Sequence, residues 1–137
     1  MIVVSIIALL AAIAVPVYLH YKRNARDAAF INDLRVAAHA FETYASIKGR
    51  WPPDGINGIP AQMDDYLPAE KWDGATPLGG VWDWDYNQYG FKAGISVHNP
   101  TADDDEFTRI DEKIDDGNLS TGQFRKHGGG FIFILEF

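Results

Sequence analysis

Nothing in this chain constrains its fold more than its opening run, Met1-Ile-Val-Val-Ser-Ile-Ile-Ala-Leu-Leu-Ala-Ala-Ile-Ala-Val-Pro-Val-Tyr18, and no charged side chain appears before Lys22. Coiled as a helix, the run reaches roughly 30 Å at about 1.5 Å per residue, the thickness of a bilayer hydrocarbon core. Its apolar side chains surround the helix instead of forming one stripe, so its surroundings are lipid or other helices, and water is excluded. Four Ile, four Val and three Leu through Leu19 contribute about −3 to −7 kcal/mol on an insertion scale. Pro16, at about 3 kcal/mol in a soluble helix interior, weakens the helix without reversing that balance. In a membrane its freed carbonyl can be satisfied by local adjustment.

Two other readings fit the same stretch. A cleaved secretory signal would end at Ala12-Ile13-Ala14, a small-residue cleavage pattern, but it lacks a basic n-region and places Pro16 second after the cut. A plain one-pass anchor, carrying a head that binds a ligand or partner as a monomer, stays open.

About 115 residues follow the apolar run, enough for one modest core and too few for two. Thirteen per cent aromatic residues, with four Trp, exclude disorder. The absence of Cys excludes disulfides, a thiol nucleophile and Cys-ligated zinc. Charge is split unevenly: residues 1–50 hold six Lys or Arg against three Asp or Glu, and residues 51–137 hold six against sixteen, summing to −7. Lys22, Arg23 and Arg26 form a collar suited to anionic headgroups or acidic partners. The acidic remainder argues against nucleic-acid binding, which needs a basic surface. By the positive-inside rule the collar would hold the C-terminal side in the cytoplasm, unless a charged leader precedes Met1.

Asn24 to Lys48 reads as the second half of one long, kinked helix. Phe30, Leu34, Ala37, Phe41 and Tyr44 recur at spacings of four, three, four and three, which makes them the stripe that docks on a head. Gly49 ends the helix, with Pro52-Pro53 close behind. Since Pro16 is the one breaker before Lys48, the rod would be about 70 Å long. Trp51 to Gly80 is a connector with a helical turn around Gln62 to Leu67. Val81 to Tyr86 alternates as a strand, and Tyr89 to His98 is a second, joined to it by a tight Asn87-Gln88 turn. Asp103 to Asp116 is a short helix with Phe107, Ile110 and Ile114 on one face. Gly122–Lys126 and Phe131–Phe137 form a closing hairpin about Gly128-Gly129-Gly130. The expected fold is α+β: a long kinked N-terminal helix packed on a small antiparallel sheet. Residues 1–23 are the apolar membrane or filament-core segment, and 24–137 the head with the amphipathic half of the helix.

The stretch from Ile6 to Tyr18, with Pro16 inside it, closely resembles the N-terminal helix of type IV pilins and type II secretion pseudopilins. Gly49-Arg50-Trp51-Pro52 is similar to the Gly-Arg-Tyr-Pro after the long helix in many pseudopilins. Thr76-Pro77-Leu78-Gly79-Gly80-Val81-Trp82 is similar to the element that opens their sheet. The likeness covers the first 52 residues well and the rest loosely. It implies a structural subunit, not an enzyme, that assembles with copies of itself into a homopolymeric filament. Ile2, Ile6, Ala8, Leu9, Ala12, Ile13, Pro16 and Tyr18 would make the assembly helix. The partners implied are the inner membrane before assembly, with the head outside the cytoplasm, and the pilus or secretion machinery; the filament would then lie outside the cell or in the periplasm. Family members begin with a basic leader and a Phe-Thr-Leu-Ile-Glu-Leu segment, so this chain reads as starting just downstream of both. Their frequent helix Gly is Ala8 here, and without Cys their disulfide-bounded C-terminal loop is absent. Whether the fibre is a pilus or a pseudopilus stays open. In the assembled fibre Pro16 is expected to mark a stretch without i to i−4 bonds.

Asp103-Asp-Asp-Glu106 reads as a solvated cap on a helix N-terminus. Asp115 and Asp116 oppose the dipole in a last turn and have Asp111 one turn back, so a positive partner is expected. That partner is a neighbour's Arg, or a calcium ion held by Asp111, Asp115, Asp116 and Asn118, since many major pseudopilins bind calcium; EF-hand spacing is absent, and Gly117 reads as a C-cap. No other cofactor is implied. His127-Gly128-Gly129-Gly130 mimics an esterase oxyanion-hole sequence, but without a G-x-S-x-G elbow it reads as a turn. His20, His39 and His98 lack metal-ligand spacing and read as surface or packing residues. Trp82 and Trp84 share a strand face and read as core or interface before sugar binding.

Overall fold

The computed structural model describes residues 1–55 and 58–137. Helix α1 runs from Ile2 to Lys48, 47 residues, with the helical assignment unbroken through Pro16. Its end is set by Gly49, which adopts a left-handed φ of 70° while its N–H bonds Ala45 O at 2.8 Å. That conformation is open to glycine without a Cβ penalty. The connector holds two 3₁₀ turns, Ala61–Met63 and Ala69–Lys71, the first overlapping the start of the Gln62–Leu67 region where a helical turn was expected. Ile56 and Asn57 of the connector lie outside the described residues.

Four strands follow: β1 Val81–Tyr86, β2 Ala93–His98, β3 Phe124–His127 and β4 Gly130–Glu136, with helix α2, Asp104–Ile114, between β2 and β3. The sheet order is β1-β2-β4-β3, every pair antiparallel. The second strand starts four residues later than expected, because the β1–β2 connection is not a two-residue turn. Tyr89 and Gly90 both take positive φ (52° and 86°), and Phe91 N–H bonds Gln88 O while Asn87 N–H bonds Lys92 O, each at 2.9 Å. A turn with both central residues left-handed fits the twist of the flanking strands, and glycine supplies one of the two. The closing hairpin turns at Gly128-Gly129, and β3 begins at Phe124, not Gly122.

Two departures concern α2. It ends at Ile114, two residues before Asp116, with Asp115 as C-cap; Gly117, at φ 76°, lies two residues beyond that cap. Its start is capped as expected, Asp103 Oδ1 accepting from Glu106 N–H at 2.9 Å. Glu106 is not solvated, however: it is buried and bonds Arg26 of α1 at 2.7 Å.

Phe30, Leu34, Ala37, Phe41 and Tyr44 are all buried on one face of α1. Alternation along β1 turns Trp82 and Trp84 toward that face. Phe41 stacks on Trp84 with centroids 4.0 Å apart at 12°, and Phe30 on Trp82 at 5.0 Å and 26°. The Trp84 indole N–H donates to Pro52 O at 3.1 Å, so its one polar atom stays satisfied in the core. Phe107 of α2 bridges the layers, edge-on to Phe30 at 5.6 Å and stacked on Phe131 at 3.8 Å. Each such ring contributes roughly 1.5–3 kcal/mol by leaving water.

Phe41→Ala is expected to cost about 3–5 kcal/mol, the range for truncating a buried aromatic. Guanidinium unfolding of the full chain in detergent micelles, followed by tryptophan fluorescence, measures it, with Leu9→Ala as a control expected to leave the midpoint in place. A Phe41→Ala midpoint matching wild type would contradict this packing.

Candidate assembly interface and acidic sites

Every residue of α1 before Asp27 is exposed, and the apolar stretch is long and apolar enough to cross a membrane with none of it buried against the head. Ile2 is 77% exposed, Ile6 51%, Leu9 65%, Ile13 63% and Tyr18 65%. Ala8, Ala12 and Pro16 share that exposure. A surface of this size and polarity rarely remains facing water in a finished assembly. Ala8 and Ala12, one turn apart, leave room for a second helix to approach closely.

Exposure ends at a buried acid. Asp27 is 0% exposed, and neither carboxylate oxygen has a hydrogen-bond partner among the described residues. Arg109 Nε and Lys113 Nζ of α2 each lie 3.7 Å from its Oδ2. Arg26 and Glu106 complete the cluster at 2.7 Å, and Arg109 Nη2 stands 3.8 Å from Glu106. The cations compensate a charge that burial would otherwise make costly. Sequence reasoning missed Asp27, although it lies one helical step before Phe30 and so falls on the docking stripe.

The acidic loop after α2 is also drawn together. Asp111, Asp115 and Asp116 place carboxylate oxygens within 4.8 Å of one another. Asp115 Oδ2 accepts from the backbone N–H groups of Gln123 and Phe124, and Asp116 accepts from Asn118 N–H and the Thr121 hydroxyl. Asn118, the remaining member of the expected ligand set, is exposed, and its Oδ1 accepts from Ser120 N–H. Asp111 is fully buried, both its oxygens lacking a hydrogen-bond partner among the described residues. Burial, with the charges of Asp116 and Asp115 added, pushes its carboxyl up to about 6.

On the outer face of the sheet, Asp83, Asp85 and His98 form a second group with donors within 4.8 Å. His98 Nε2 lies 3.3 Å from Asp83 Oδ2 and 3.1 Å from Ser96 Oγ. Burial raises the carboxyls of Asp83 and Asp85, and for Asp83 the neighbouring Asp85 charge adds to it. The sequence read His98 as a surface or packing residue, and the fold places it beside two acids. His20 instead meets Asn24 on the exposed stalk at 3.1 Å, and His39 is exposed. His127 sits in the β3–β4 turn, its ring 3.9 Å from that of Tyr89, with no esterase-like site around it among the described residues.

With the geometry in place, likeness to known proteins can be weighed. No protein-family model matches the chain, and no curated protein matches it significantly. Among solved structures it is similar to the major type IV pilin PilA1 from Clostridium difficile, at a TM-score of 0.61 and 15% identity, covering 84% of this chain and 97% of that one. The fold is that of a type IV pilin. A pilin-like fold accounts for a long, half-exposed helix laid against an antiparallel sheet, and it shows the architecture without the role.

The pH dependence of stability follows from Asp111. Its folded-state value of about 6 exceeds the ordinary 3.8, so between those values the native chain binds more protons than the unfolded one. Stability therefore falls as pH rises through that window. Without added metal, melting temperature is expected to drop between pH 4 and 6.5 (about the limits of that window), and Asp111→Asn to shallow the slope and raise the melting point at neutral pH. Asp83 and Asp85 shift in the same direction, so some slope remains. An Asp111→Asn melting profile parallel to wild type would contradict the assignment.

Proposed function

We propose that this pilin-like chain is a structural subunit of a type IV pilus-like filament or a type II secretion pseudopilus. The observation that carries this reading is the exposed, all-round apolar half of α1 joined to a head with a core of its own. Lipid and a sheath of like helices are both acceptable surroundings for such a helix, so passage from one to the other need not be prohibitive. Residues 1–23 then form the membrane and filament-core segment, and residues 24–137 the head. Ile2, Ile6, Ala8, Leu9, Ala12, Ile13, Pro16 and Tyr18 contact neighbouring copies. Before assembly the subunit waits in the inner membrane with its head outside the cytoplasm; assembly machinery then draws it into a filament outside the cell or in the periplasm. The collar of Lys22 and Arg23 lies where the helix leaves the apolar layer, facing anionic headgroups first and acidic neighbours afterwards. No step in this role is a chemical reaction.

Shearing the cells that express the chain and probing the released fraction with an antibody to the head tests the reading. Long fibres are expected for wild type, and Leu9→Lys is expected to abolish them while leaving a folded, membrane-associated head, since a charge at the helix centre costs about 2.5–3.5 kcal/mol in an apolar layer. Protein found only as a dispersed membrane monomer would favour the alternative, a single-pass anchored binding domain that does not polymerise.

The acidic loop supports a calcium ion as part of the same reading. Its donor set is carboxylate oxygen, which calcium prefers, and the buried Asp111 carboxylate has no competing partner among the described residues. Asp111, Asp115 and Asp116 would hold the ion, tying the C-terminal end of α2 to the start of β3 through Asp115. Calcium at about one hundred times its dissociation constant would add about 2.7 kcal/mol. The expected result is a melting point several degrees above that in chelator, lost in Asp116→Asn. Identical melting with calcium and with chelator would remove the ion from the account.

A further inference from the structure

The outer face of β1 and β2 holds a donor set of another kind. Alternation turns Trp82 and Trp84 inward, so Asp83 and Asp85 stand together on the opposite face. Antiparallel pairing sets Val81 opposite His98, Asp83 opposite Ser96 and Asp85 opposite Gly94. Two carboxylates, a hydroxyl and an imidazole thus share one patch. Gly94 leaves no side chain between them, and a Cβ there would meet Ile132 Cδ1 at 2.7 Å.

Charge in this patch is unbalanced. Asp85 is 5% exposed, and its Oδ2 is buried with no hydrogen-bond partner among the described residues. Asp54 lies near enough to add negative potential at both Asp83 and Asp85. Its own oxygens are engaged by Tyr86 N–H at 3.0 Å and Gln88 Nε2 at 3.3 Å, so it stays beside them. Lys92, on the same hairpin, is already paired with Glu136 at 2.8 Å. The groups able to carry positive charge that act on Asp85 are the imidazoles of His98 and, more weakly, His127. A buried carboxylate with one oxygen unpartnered, its donor within 4.8 Å of a second carboxylate and an imidazole, is a costly arrangement unless a cation joins it.

We propose that Asp83, Asp85 and His98 bind a divalent d-block cation of the zinc class. Imidazole among the donors selects such ions over calcium and magnesium, which take oxygen. Two donors held at about 2.0–2.1 Å around a tetrahedral ion stand about 3.3–3.4 Å apart. His98 Nε2 and Asp83 Oδ2 are already 3.3 Å apart. Asp85 has its donor within 4.8 Å of both, so closing the site needs a rotamer adjustment and no change of register. Ser96, whose Oγ lies 3.1 Å from His98 Nε2, gives up that contact when the nitrogen takes the ion, and water fills the fourth position. An open cavity of about 660 Å³, whose wall includes Asp83, His98 and the further carboxylate of Asp73, leads from solvent to the site. The ion would clamp β1, which is an edge strand, to β2. It is separate from the acidic loop after α2 and does not depend on whether the chain polymerises.

The test uses the untagged full chain in detergent micelles, stripped with chelator and titrated with zinc against a chromophoric indicator in excess calcium. One zinc per chain is expected, with affinity falling at least about tenfold in both His98→Ala and Asp85→Asn. Asp116→Asn, on the acidic loop, is expected to bind zinc as wild type does. Asp85→Asn removes a buried charge while keeping its shape, so it reports on the site even where His98→Ala unfolds. Zinc should also shift the His98 ring resonances in a proton–nitrogen correlation spectrum. Stoichiometric zinc binding retained by Asp85→Asn, ring resonances of His98 unmoved by zinc, or no zinc bound by wild type would each overturn the proposal.

Discussion

The stacking of Phe41 on Trp84 and of Phe30 on Trp82 joins two parts of the chain that demand opposite surroundings. The first half of α1 is apolar on every side, and the head carries the bulk of the negative charge. What lets one helix serve both is a change of pattern along its length. Up to Tyr21 there is no stripe, and from Asp27 onward every buried position recurs at three or four residues. The paired aromatics recur eleven residues apart on the helix, very nearly three turns, and two residues apart on the strand. They therefore fix the angle at which α1 crosses the sheet as well as the stability of the contact.

Asp27 stands where that pattern changes. A carboxylate at 0% exposure would be a defect in an ordinary core, yet Arg109 and Lys113 reach it from α2 while Arg26 reaches Glu106 in return. Two elements thus exchange opposite charges across one seam. Hydrophobic contacts at Phe107 tolerate some sliding, and charge pairing of this kind specifies one register. The consequence is that α2 holds the helix just past its basic collar, where a lateral pull on the exposed half of α1 would first be felt by the head.

Much of this architecture was legible because hydrophobic period is a strong signal in both halves. The docking stripe from Phe30 to Tyr44, the alternation of Val81 to Tyr86, and the Gly49 stop each follow from spacing and steric rules that tertiary context did not override. The β1–β2 turn was not legible, and its misreading hid a site. A two-residue Asn87-Gln88 turn would have set Asp83 opposite Lys92, an unremarkable surface pair. The actual turn at Tyr89-Gly90 shifts the register so that Asp83 faces Ser96 with His98 beside it. A tyrosine at positive φ is an uncommon choice, so single-residue preferences pointed to the wrong pair of central residues. Asp27 was hidden for another reason: polar residues on a helix are assigned to water by default, and only the positions of Arg109 and Lys113, some eighty residues on, reverse that.

Three of the buried carboxylates, Asp27, Asp85 and Asp111, together define what the head must do to stay folded. Each loses hydration on folding, but they are compensated in two different ways. Asp27 has fixed cations of its own chain; Asp111 and Asp85 sit among further acids, and folding alone raises their affinity for protons. A group poised in that way gains most from whatever positive charge the surroundings supply, whether a proton or a metal ion. The two poised acids lie on opposite flanks of the sheet, one at the end of α2 beside β3 and the other on the β1 edge. The central pair of strands, β2 and β4, is secured by backbone pairing and by Ile95, Val97, Ile132 and Ile134 without them. The charge state of these acids therefore acts at the margins of the head, while its centre and the aromatic seam to α1 are set by packing.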